Sequence, residues 1–109
     1  MTIPMRSFQG TVLSGHKAQC AVEVPFDPGV EWGLAFGPVF PGRNGYRVRA
    51  SLGAGWFESA VVPRMKRWWL LIEAGRLDAV GVGVGQAVTV RMEALDEAQV
   101  ARGGAGLQA

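Results

Sequence analysis

Histidine and cysteine are almost missing from this chain: His16 and Cys20 are the only ones among 109 residues. A lone cysteine excludes an internal disulfide, so nothing demands an oxidising compartment, and the cytoplasm is the expected location. A lone histidine, with no cysteine or second histidine in range to complete a ligand set, gives no reason to expect a metal or any other cofactor. Charge of one sign is lacking too. The formal net charge is only +2, which by itself is too little to hold a phosphate backbone tightly, so a nucleic-acid partner is not expected. No run approaches the ~18 apolar residues that a membrane span requires. Residues 1–6 hold no apolar core of a secretory leader, and no membrane association is expected.

What the chain does have is apolar surface and glycine. Hydrophobic residues make up 49% and charged ones 18%, enough to form a core without staples. The length suits one domain, expected over residues 1–95. Residues 96–109 hold little to bury and are expected to form a flexible tail.

Period-two alternation dominates. Residues 7–13 mix aromatic and β-branched side chains and stop at Ser14-Gly15, a turn pair. Cys20, Val22 and Val24 then alternate with Gln19, Ala21 and Glu23, so the first two strands form a hairpin. Pro25 ends the second strand. Asp27 before Pro28 is placed to cap one helical turn through Trp32 that Gly33 terminates. Residues 33–45 read as a long Gly/Pro loop with Phe36, Val39 and Phe40 as anchors. Tyr46, Val48, Ala50 and Leu52 face one way and Arg47, Arg49 and Ser51 the other. A glycine turn at 53–55 leads to a partner strand over 56–62, and Pro63 to Arg67 read as a basic turn. Trp68 to Ile72 give an almost wholly apolar strand of the kind buried on both faces. Residues 73–80 take helical spacing with Gly81 as the C-terminal stop. The last strand spans 87–92. The fold class expected is mainly β, a small closed antiparallel barrel of about six strands with one or two short helices. The expected core is Phe8, Val12, Cys20, Val22, Val24, Val48, Ala50, Leu52, Val61, Leu71, Leu77, Val88 and Val90.

Several of these pieces, in this order, carry a resemblance. Val24-Pro25-Phe26-Asp27, Tyr46-Arg47-Val48-Arg49-Ala50, Phe57-Glu58-Ser59, Val62-Pro63-Arg64, Trp69-Leu70-Leu71-Ile72 and the run from Gly81 to Val90 are together similar to an uncharacterised bacterial family, the domain of unknown function nineteen-zero-five. The resemblance spans about Phe8 to Met92. It implies a small closed β-barrel with a short helix, sometimes standing in front of a bacteriocin-protection module that has no counterpart in these residues. It implies no activity. Gln86 stands where the family usually has Asp, and the 33–45 loop is longer and more apolar than usual.

No catalytic constellation is visible. His16 lies in a hairpin turn and is expected to face solvent, while Cys20, on the Val22 and Val24 face, is expected to be a small buried hydrophobe. The glycine run at 81–85 follows a helix and precedes a strand, the reverse of a phosphate-binding loop. The carboxylates Glu23, Asp27, Glu31, Glu58, Glu73 and Asp78 are scattered over separate elements, so no acid–base pair is assigned and the protein is not expected to be an enzyme.

Two binding readings remain. The first is a binding or assembly module that meets a protein partner, a second copy or a small apolar ligand through Trp32, Phe36, Phe40, Trp56 and Trp68, because four tryptophans exceed what a small core readily hides. The second is weak nucleic-acid binding by Arg47, Arg49, Arg64, Lys66 and Arg67, cations interleaved with aromatics. Glutamates interrupting the arginine face would favour the first. Adjacent Trp68 and Trp69 must point to opposite faces of their strand, so at least one needs a cover or faces solvent.

Overall fold

The computed structural model describes residues 4–15, 19–53 and 55–95. His16 and the tail at 96–109 lie outside the described residues. Seven strands and two short helices follow in the order β1 (Met5–Ser14), β2 (Gln19–Val24), α1 (Pro28–Trp32), β3 (Gly37–Phe40), β4 (Arg43–Ser51), β5 (Trp56–Arg64), β6 (Arg67–Glu73), α2 (Ala74–Ala79) and β7 (Ala87–Ala94). The protein is mainly β and its pairings are all antiparallel. The strand order is β3-β4-β5-β6-β2-β1-β7, and β7 pairs with β4 as well as with β1. Six strands therefore pair in a ring, and β3 is appended to β4.

The alternation sets the inward face. Val12, Val22, Val48, Val61, Leu70, Ile72, Val90 and Met92 lie inside the ring in one apolar cluster and are essentially inaccessible. Register places Val22 opposite Leu70, Leu70 opposite Val61, and Ala50 opposite Met92. Eleven of the thirteen expected core residues are buried, while Phe8 and Leu52 are partly buried and packed against the cluster. Leu71 is buried on the other side of the sheet, with Ala60 and Val62.

Local chemistry explains the helices. Asp27 caps α1, its Oδ1 accepting from the Gly29 N–H at 2.8 Å, with Pro28 at the first helical position and Gly33 ending the turn at φ 68°. After α2, the N–H of Val82 bonds the Leu77 carbonyl at 3.0 Å and that of Gly81 bonds Asp78 at 3.1 Å, with Gly81 at φ 70°. This double bond pattern closes the helix. Gln86 keeps a local role: its side-chain oxygen accepts from Gly83 N–H at 2.6 Å, and its carbonyl accepts from Val12 N–H at 3.0 Å, tying the turn to β1.

Two expectations are corrected. The long loop at 33–45 contains β3 and a turn at Pro41-Gly42, which raises the strand count to seven. A four-residue edge strand that starts Gly37-Pro38 has no alternation to read, and Pro is tolerated there because an edge leaves one side unpaired. The strand break at Pro63 is also absent, since β5 continues through Arg64. The register of β4 with β5 stops at Tyr46–Val61. Beyond it β5 has only β6 as a ladder partner, and an N–H missing from the other side loses no bond.

Candidate functional site

Adjacent tryptophans on β6 do diverge. Trp68 packs against the ring interior and Trp69 against the outer cluster of Ala60, Val62 and Leu71, joined by Ala21 and Val39. Small residues on this outer face would leave it open, and the β3–β4 hairpin lies partly over it. Gly45 permits the approach, since a Cβ there would strike the carbonyl oxygen of Val61. Val39 of β3 is thereby brought onto the face.

Two adjoining hollows remain, sharing Gln19 and Leu71. The larger, a cavity of about 280 Å³, is lined by Leu13, Ala21, Val62, Met65, Trp69 and Leu71, with Arg43 and Arg64 as the charged ones among the described residues. The smaller, about 180 Å³, has Val39, Phe40 and Ala60 beside Arg47, Glu58, Glu73 and Arg76. The indole of Trp69 is held in place by its Nε1–H, which donates to the Arg64 carbonyl at 3.1 Å. Next to it, Met65 and Lys66 form the two-residue turn between β5 and β6 with φ of 54° and 64°. Both are left-handed, a conformation that Asn and Gly adopt at little cost and that other side chains resist. Met65 is 81% exposed at the rim. Strained non-glycine backbone of this kind gathers at functional sites.

Of the five aromatic residues singled out from sequence, the structure brings Phe36 and Trp68 together, with ring centroids 6.4 Å apart, and sends the other three to separate places. Phe36 and Trp68 meet Tyr46, with ring centroids 5.4 Å and 5.2 Å from it. Trp32 packs on Phe26 at 5.2 Å, and Phe26 on Phe8 at 6.1 Å. Phe40 lines the smaller hollow. Trp56 stands between the guanidinium groups of Arg49 and Arg91, at 5.5 Å and 5.4 Å. Trp69 and Leu13, which the sequence reading left off its candidate surfaces, form part of the larger hollow; the Trp68-Trp69 pair was the available signal, because one of the two had to face outward.

The five basic candidates also divide. On β4, Arg47 pairs with Glu58 at 3.8 Å and Arg49 with Glu93 at 3.0 Å. At the other group, around the β5–β6 turn, Arg67 pairs with Glu23 at 2.9 Å, Arg64 joins the rim of the larger hollow and Lys66 is in the turn itself. Glutamates thus interleave with the arginines.

A polar contact lies at the mouth of the ring. Tyr46 is buried beneath α1, where its hydroxyl fills the space that a Cβ on Gly29 would need. Burial pushes its phenol above the ordinary value, and the negative charge of Asp27 and a hydrogen bond to that carboxylate push it the same way. Cys20 is buried in the ring cluster with Val22 and Val24. Among the described residues, no group of three or more His, Cys, Asp or Glu side chains is placed to hold a metal ion, and no helix is long and apolar enough to cross a membrane.

The family model described as Domain of unknown function (DUF1905) matches residues 8–92. No curated protein matches the chain.

Proposed function

Since the chain belongs to the DUF1905 family, for which no activity comes with membership, we propose from its surface that it is a non-enzymatic binding module, with the six-strand ring serving as a closed barrel scaffold. The larger hollow beside Trp69 is its binding site for a small, mainly apolar ligand. One observation carries this reading. An apolar concavity of about 280 Å³, floored by Ala21, Val62, Leu71 and Trp69 on three paired strands, lies next to a strained turn that holds Met65 at its rim. Mostly apolar, largely preformed hollows with a few polar groups are what small-molecule sites are made of. A flexible thioether at the edge suits a ligand of irregular shape. A lone cysteine buried in the ring is consistent with a cytoplasmic location.

The test is a fluorescence titration with N-phenyl-1-naphthylamine, a neutral apolar dye. Saturable enhancement is expected in the native protein. It should be lost in Leu13→Asp, a substitution the fold tolerates because Leu13 is 45% exposed, and kept in Thr89→Asp on the outer face of β7. Enhancement that is absent, or equal in both variants, overturns the reading.

Weak nucleic-acid binding is the second reading, supported by Trp56 between Arg49 and Arg91. The carboxylates of Glu58 and Glu93 beside Arg47 and Arg49 count against it, since counterion release needs cations free to meet phosphates.

A further inference from the structure

Charge in the larger hollow is of one sign. Among the described residues, Arg43 and Arg64 are the only charged ones lining it, none of those lining it is a carboxylate, and neither arginine forms an ion pair. Every ion-paired arginine on the described surface lies elsewhere. The two come from different hairpins, Arg43 from the start of β4 and Arg64 from the end of β5, and both are exposed. In the adjoining hollow Glu58 and Glu73 are balanced by Arg47 and Arg76, so the uncompensated positive charge lies on the Trp69 side. An apolar floor with two guanidinium groups at its rim matches a molecule with an apolar body and one negative head, because guanidinium forms charge-assisted, often bidentate bonds to a carboxylate.

We propose that the hollow binds a small amphipathic carboxylate, its chain against Trp69, Leu71, Val62 and Leu13 and its head between Arg43 and Arg64. This rests on the reading of the hollow as the ligand site and adds the ligand's chemical class. The backbone of Arg64 is fixed from two sides, by the Trp69 indole on its carbonyl and by the Met65 turn that follows it, so its side chain is rooted at the rim of the hollow.

Octanoate and octanol differ at the head and share a similar apolar body, and each is titrated as a competitor against N-phenyl-1-naphthylamine. Octanoate is expected to displace the dye about tenfold more tightly than octanol, the scale of one good charge-assisted contact, with the margin narrowing as salt is raised. In the Arg43→Gln/Arg64→Gln protein the dye should still bind and the preference for octanoate should vanish. Both positions are exposed, so the variant should fold. Dye binding with octanol equal to octanoate, or a preference that survives in the double variant, overturns the carboxylate assignment and leaves the apolar site standing. Failure of the dye to bind overturns both. A dimer by light scattering that Leu13→Asp dissociates would make a second copy of the chain the occupant and overturn the small-ligand proposal.

Discussion

Tyr46 is the chain's only tyrosine, which makes its environment separately measurable. Its phenol is raised first by burial, then by the charge of Asp27 and by the hydrogen bond to it. A raised acid stays protonated in the folded state at a pH where the unfolded chain has already ionised. The associated stability is therefore complete below the ordinary phenol value and is lost as pH climbs through the folded value. Phenolate absorbance should titrate above the ordinary tyrosine range in the native protein and return to it in urea. Tyr46→Phe should lower stability near neutral pH by about 1 kcal/mol and flatten the Tyr46 part of the alkaline fall. A native titration at the ordinary value would contradict the buried arrangement. The inward face of Tyr46 was legible from its alternation with Val48 and Ala50. Its partner was not: Asp27 was read only as the cap of α1, and no spacing rule links a helix cap to a residue on a later strand.

At the scale of elements, what could be read depended on length and pattern. β2 and β7 carry clean period-two burial, and both were legible. β3 was not, because its four residues include Gly and Pro and its existence depends on β4 being there to pair with. The larger hollow is hidden for the same reason: it is floored by β2, β5 and β6 and rimmed by residues of the β1–β2, β3–β4 and β5–β6 hairpins, the second of which reads from sequence as a loop. The β5–β6 turn is legible as a turn but not in its extent: Pro63 to Arg67 reads as five residues where the chain uses only Met65-Lys66, a pair that lacks the Asn and Gly announcing a tight turn of this hand. Its strain gives a direct expectation. Lys66→Gly should raise stability by about 1 kcal/mol in urea unfolding by relieving one left-handed side chain. An unchanged or lower midpoint would mean that the lysine has interactions which outweigh that strain.

At the scale of the whole molecule, the ring brings together strands far apart in sequence. β1 pairs with β7 over seven registered positions, from Met5–Glu93 to Thr11–Ala87, and β4 meets β7 from Val48–Ala94 to Ser51–Arg91. The mainly β class followed from alternation alone. The pairing of β4 with β7 did not, because alternation fixes which side chains share a face and says nothing about which edges meet.

The backbone N–H of Ala94 donates to the carbonyl of Pro4 at 3.1 Å, so the two ends of the described fold leave it side by side. A circularly permuted chain, with Leu95 joined to Pro4 by a short glycine–serine bridge and new ends opened at the exposed Pro41-Gly42 turn, should keep the ring intact. Its melting should stay cooperative and within about 8 °C of the native value, the shift that 1 kcal/mol produces in a domain of this size. A domain whose first and last strands are neighbours has the geometry of an insert: it could be spliced into a surface loop of an unrelated host without prying that loop apart.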